Sequence, residues 1–174
     1  MEEEIKEMEN DFTKILNRKT KKLSKEELKK EIIKFIGENK ICTIATCLNN
    51  IPRSTPVRYR SKDMTIYVLT EGGVKIKNIM ENPNVSVSLY GDYSGFESVK
   101  GLQLWGRAEI IKPEDGKKYA EARSIIKSEE REDLKKLGIK ARPDMKIIKI
   151  EAARARYLNF PDGILNQVWS TEEK

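Results

Sequence analysis

Histidine is missing from this sequence altogether, and its absence excludes more than any single motif implies. Histidine is the usual general base near neutral pH and the partner that activates Ser and Cys nucleophiles. Ser-His and Cys-His chemistry is therefore not expected, and neither are most zinc or iron sites. Cysteine is nearly missing as well, with only Cys42 and Cys47. They stand five positions apart on one expected strand, where side chains alternate, so they point to opposite faces and cannot bridge each other. Two thiols without an imidazole make a poor zinc site. They read as two small, partly buried residues in a reducing cytosol. No apolar run approaches the length that spans a bilayer. The acidic start Met1-Glu-Glu-Glu-Ile-Lys is unlike a signal peptide, so a cytoplasmic protein is expected.

Charge is what the chain has in quantity. Charged residues make up 36% of it, with 34 basic and 28 acidic side chains and a net charge of +6. The two signs are interleaved along most of the chain, whereas a nucleic-acid surface gathers its excess on one stripe. Nucleic acid is accordingly not the expected partner, and the lysines read as a solvated surface. The 174 residues, 38% of them hydrophobic, suffice for one domain with a core. With no histidine to do the work, the chemistry is expected to reside in a bound cofactor.

Periodicity then sets the elements. Residues 1 to 22 carry Ile5, Met8, Phe12, Ile15 and Leu16 at helical spacing. Ser24 and Glu27 form a capping box that opens a second helix with Leu28, Ile32, Phe35 and Ile36 on its inner face, stopping at Gly37. Residues 41–48 form a β-rich run that ends in the hairpin turn Asn49-Asn50. The return strand, 51–60, is irregular or an edge because of Pro52 and Pro56. After the turn Ser61-Lys62-Asp63 comes a third strand, 64–70, and then a short helix, 74–81, that stops before Pro83. Further strands are expected at 85–90, at 99–111 with a bend or bulge at Gly106, and at 145–152. A helical stretch from Pro113 to about Leu137 separates the last two. The tail holds Tyr157, Phe160 and Trp169, with Trp169 read as packing on a partner or on its own barrel. The expected fold is mainly β, a six-stranded antiparallel barrel with flanking helices. Its parts are an N-terminal helical segment (1–38), the barrel domain (39–158) and a C-terminal tail (159–174).

Three segments converge if this meander closes: Pro52 to Arg60, the strand end Leu69-Thr70, and the helix start after Gly72-Gly73. A glycine-led helix N-terminus offers free backbone N–H groups to an anion. Lys75 and Lys77 add charge there, Arg53, Arg58 and Arg60 add forked donors, and Ser54, Thr55 and Thr70 add hydroxyls. The competing reading is plain: two lysines on a short helix are often only solvated, and Gly-Gly is often only a turn.

The succession of Pro52-Arg-Ser-Thr-Pro-Val, a strand ending in Thr70, and Lys75-Ile-Lys-Asn-Ile-Met-Glu-Asn-Pro-Asn-Val resembles the pyridoxamine 5′-phosphate oxidase-like, FMN-binding split-barrel superfamily. Gly101-Leu-Gln-Leu-Trp-Gly-Arg-Ala fits the same pattern, and the likeness covers roughly residues 30 to 112. The resemblance implies a split barrel, dimeric, with each flavin between two subunits. It implies FMN as cofactor, with F420 or haem as the alternatives. Thr55, Pro56 and Val57 would lie along the flavin, Lys75 would bind its phosphate with Lys77 a step away, and Leu69-Thr70 would end the strand beside it. Arg53, Arg58 and Arg60 remain open as phosphate or ring-edge donors. The implied activity is that of an oxidoreductase, moving electrons from a nicotinamide nucleotide through FMN to a small organic acceptor. The alternative is a carrier or sensor without turnover. The vitamin B6 oxidases end in an Arg-x-His motif; this chain has no histidine, so their own reaction is not expected.

Overall fold

The computed structural model of the chain describes residues 20–127, 132–139, 142 and 144–172. The helix expected over residues 1 to 22 falls almost wholly outside them. The first described helix, α1 (Lys25–Glu38), opens as its sequence requires. Glu27 donates its N–H to Ser24 Oγ at 3.3 Å, and Ser24 returns its own N–H to the Glu27 carboxylate at 2.9 Å. Gly37 does not stop it; the helix runs one residue further and is capped by Asn39, whose amide donates to the Phe35 carbonyl at 2.8 Å. No helix among the described residues is long and apolar enough to cross a membrane.

β1 (Ile41–Leu48) and β2 (Ile51–Arg58) form the expected hairpin, with Asn49 and Asn50 at φ of +50° and +60°. The remaining strands are β3 (Arg60–Lys62), β4 (Thr65–Thr70), β5 (Asn84–Tyr90), β6 (Lys100–Ile111), β7 (Lys146–Asn159) and β8 (Ile164–Ser170). All pair antiparallel in the order β2-β1-β5-β6-β7-β4-β3, with β8 on the far half of β7. The expected curled, mainly β architecture is what the chain adopts. The described strands number eight rather than six, because β7 runs past Ala152, the tail returns along it as β8, and the second strand divides at Tyr59. The long helix expected after Pro113 is also divided. A single turn at Pro113–Asp115 leads into α3 (Lys117–Ile126), which Lys127 ends in a left-handed conformation before the short α4 (Glu132–Lys136). The remaining helix, α2 (Val74–Glu81), lies between β4 and β5.

One continuous stretch joins the two ends of this strand order. It pairs with β1 as β2, bends at Tyr59, and pairs with β4 as β3. Beyond the bend β2 and β4 approach each other without a ladder between them, which is the split in the barrel. Tyr59 is buried, its N–H donates to the Lys40 carbonyl at 3.0 Å, and its hydroxyl donates to the Ile36 carbonyl at 2.6 Å. Burial raises that phenol above its ordinary pKa. Alternate residues of each strand fill the interior: Ile44 from β1, Val87 from β5, Leu104 from β6 and Ile150 from β7 are each at most 1% exposed. Trp169 joins this core from β8. A smaller cluster of Tyr67, Ile111, Ala122, Ile126 and Ile147 lies beneath α3.

The register of β6 on β7 slips between Trp105 and Gly106, the expected irregularity. A Cβ at Gly106 would sit 2.0 Å from the Glu151 carbonyl oxygen, closer than any atom tolerates. Backbone, not a yielding side chain, is in the way. Gly106→Ala is therefore expected to cost about 1–3 kcal/mol, as other overpacked sites do. Urea unfolding should show a lower midpoint at unchanged slope, and an unmoved midpoint would contradict the close approach.

Candidate functional site

The open end of the split lies where β4 finishes and α2 starts. Gly72 and Gly73 make the connection at φ of +146° and +94°, values that side-chain-bearing residues rarely adopt. Gly73 occupies the cap position and supplies no side-chain acceptor; Ile76 donates its N–H to the Gly73 carbonyl at 3.1 Å, which leaves the N–H groups of Val74 and Lys75 uncapped among the described residues. Thr70, 8% exposed, accepts the Gly72 N–H at 3.3 Å and so sets the path of the loop. Lys75 folds back over that loop and donates to the Gly72 carbonyl at 2.8 Å.

Arg53 reaches the same place from β2. Lys75 has its pKa lowered, first by burial and then by the positive charge of Arg53. Among the described residues neither cation has a carboxylate partner. Two unneutralised cations beside free helical N–H groups form an electropositive cradle for an anion. A phosphate there would offset both causes of the Lys75 shift.

The register sorts the other candidates. Arg53, Thr55 and Val57 stand opposite Thr46, Ile44 and Cys42, whose side chains are buried, so these three follow the inner face of β2. Ser54, Pro56 and Arg58 are exposed on the outer face. β2 has a ladder partner on one side only, which leaves the backbone along Arg53–Val57 an open edge. Arg60 is half-buried on β3 opposite Tyr67, and Lys77 is exposed on α2. Leu69 faces away from Thr70 and packs into the cluster under α3. The structure thus brings Arg53, Thr70 and Lys75 together, with Thr55 and Val57 below them.

Sequence reasoning missed what holds α2 in place. Asn78 is 4% exposed and donates to Thr46 Oγ1 at 3.0 Å. Asn82 donates to the Cys47 carbonyl at 3.1 Å and accepts the Asn84 N–H at 3.2 Å. The available signal was spacing, since asparagines four apart share one helix face. These bonds fasten the helix to the end of β1, and Lys75 is positioned through them.

A mainly β split barrel is the class of protein these features define. A family model described as pyridoxamine 5′-phosphate oxidase matches residues 28–159, more than half of the chain, and the chain belongs to that family. Among solved structures it is similar to General Stress Protein 26 from Bacillus anthracis, at 23% identity and a TM-score of 0.59, covering 82% of this chain and 98% of that one. It is similar to an FAD-binding protein from Mesorhizobium loti at 20% identity and a TM-score of 0.56, covering 72% and 87%. It is similar to a heme binding protein from Mycobacterium smegmatis at 17% identity and a TM-score of 0.62, covering 87% of this chain but 59% of that one. Identities this low speak for the fold alone. No curated protein matches the sequence significantly.

The Asn78–Thr46 bond yields a test of the fastening. Removing one partner strands a buried polar group and costs about 1–3 kcal/mol, whereas removing both spares that penalty. The double variant Thr46→Val/Asn78→Leu should be less destabilised than the sum of its singles by at least about 0.5 kcal/mol. Strict additivity in urea unfolding would contradict the coupling.

Proposed function

We propose that the protein binds FMN with its phosphate on Arg53, Thr70, Lys75 and the first N–H groups of α2. The observation that carries this reading is the convergence of Arg53 and Lys75, unpaired with any carboxylate among the described residues, at a glycine-opened helix terminus. Of the three candidate arginines, Arg53 is the one beside Lys75, and the phosphate contact is assigned to it. The open edge of β2 supplies backbone donors and acceptors for the ring, along Thr55, Pro56 and Val57. Pro56 has no N–H, so that position can only accept or pack. We further propose a homodimer with the flavin at its interface, each copy covering the ring that its partner's β2 holds.

The activity best supported is that of an oxidoreductase, taking electrons from a nicotinamide nucleotide and passing them to a small organic acceptor. When bound, the flavin supplies the redox chemistry, and the chain supplies binding, orientation and exclusion of water. Absence of histidine is no obstacle to that division of labour. It does weigh against haem, the alternative that a haem-binding relative raises, because an axial ligand would have to come from elsewhere. Burial pushes the Cys42 thiol up to about 12, so it is no ready thiolate.

Titration with FMN, followed by flavin fluorescence, tests the assignment. Lys75→Glu should weaken binding about tenfold or more, the worth of a charged hydrogen bond, while the sedimentation coefficient is unchanged. Protonated Lys75 is the form that pairs with phosphate, so affinity should fall as pH rises through its pKa, which lies below the ordinary 10.5. Lys75→Arg, which stays charged, should remove that alkaline loss. A Lys75→Glu protein that titrates like the parent would end the assignment.

A further inference from the structure

A second cleft lies between α3 and the strands beneath it, with Lys62 from β3, Tyr67 from β4 and Lys149 from β7 in its lining. Ile66 and Val68 turn into the barrel, so Tyr67 between them points the other way, under α3. Thr70 has the parity of Ile66 and Val68, which sets the cradle and this cleft on opposite faces of β4. The ladders place Arg60, Tyr67, Lys149 and Glu109 side by side across β3, β4, β7 and β6.

Tyr67 is 8% exposed, its ring packed with Ala122, Ile126 and Ile147. Its hydroxyl has no hydrogen-bond partner among the described residues. Nor is it sealed in: it keeps accessible surface, and the cleft is the space that the side chain lines. The Lys149 ammonium is raised above its ordinary pKa, first by its bond to Glu151, with the neighbouring Tyr67 and Glu109 adding to the rise. A nearly buried phenol is thus aimed at the same opening as a lysine that is itself 24% exposed.

Charge in the lining favours an anion. Lys62, Lys118 and Lys149 face one carboxylate, Glu121, which lies 3.9 Å from Lys117. Lys118 and Lys149 pair with Glu109 and Glu151, and each ammonium has three N–H donors, so donors remain on both. Lys62 has no carboxylate partner among the described residues. The cleft encloses about 280 Å³, below the roughly 300–1,000 Å³ of sites for drug-sized ligands. A flavin or a dinucleotide is too large for it, whereas a phosphate group with a few carbon atoms is not.

We propose that this cleft binds a small phosphate-bearing molecule. Tyr67 donates its O–H to a phosphate oxygen, Lys62, Lys118 and Lys149 neutralise the charge, and the half-buried Ile125 borders the remainder. The site does not rest on the FMN assignment.

The test is calorimetric titration of the full-length protein with inorganic phosphate and with glycerol 3-phosphate. It is run once with FMN in excess, which fills the cradle, and once on Lys75→Glu, which disables it. Both should show one saturable site per chain with a dissociation constant of about 1 mM or tighter. Tyr67→Phe keeps the ring in its cluster and removes only a hydroxyl that the fold does not use; affinity should fall about fivefold or more. Lys62→Glu, an exposed position, should do the same, while Tyr93→Phe, at a tyrosine outside the cleft, should change nothing. Tighter binding of the ester would identify an esterified ligand and equal binding free phosphate, and either upholds the site. Absence of saturable binding, an affinity unchanged in Tyr67→Phe and Lys62→Glu, or loss of the site in Lys75→Glu would each overturn the proposal.

Discussion

Tyr59 carries the chain from one edge of the sheet to the other, and its two hydrogen bonds anchor that crossing to the end of α1. The residues before it belong to β2 and face β1; those after it belong to β3 and face β4. A closed ladder would have run straight through this point. Because the chain bends here, β2 and β4 stay apart at the far end, and β2 keeps an open edge. Both consequences serve the candidate site. The split gives a ligand somewhere to enter, and the edge offers it backbone groups that a central strand would have consumed.

Electrostatics at the opening follows from the same geometry. Arg53 hangs from the free edge and Lys75 from the first turn of α2, and no described carboxylate separates them. Lys75 is half-buried and Arg53 exposed, and holding two cations close is unfavourable by itself. The helix is kept there by bonds on its other side, Asn78 to Thr46 and Asn82 to Cys47, which do not involve either cation. The position of Lys75 is thus set by contacts that do not depend on a ligand.

Much of this was legible in the residues, for identifiable reasons. The Ser24–Glu27 cap, the Asn49-Asn50 turn and the irregularity at Gly106 are local, and local chemistry decides them. β5 alternates cleanly because one of its faces is core. The far half of β7 was not legible. Ala153, Arg154, Ala155 and Arg156 have little strand propensity, and the segment is extended because β6 and β8 pair with it on both sides. The tail was read as an apolar end rather than a strand although Ile164, Val168 and Trp169 favour strands; its run is interrupted at Asn166, which sits at φ of +50°. Within the site, Lys75 and Thr70 stood beside a glycine pair and could be found. The Asn78–Thr46 bond joins residues 32 apart in sequence, and no periodicity announces such a pair. The choice among three arginines likewise needed the register of β2.

The most direct test of the account is the visible absorption spectrum of the purified protein, with any released small molecule identified by mass. Paired flavin bands and release of FMN are the expected result. A protein that is colourless as purified, and remains so after incubation with FMN and removal of the excess, would contradict it.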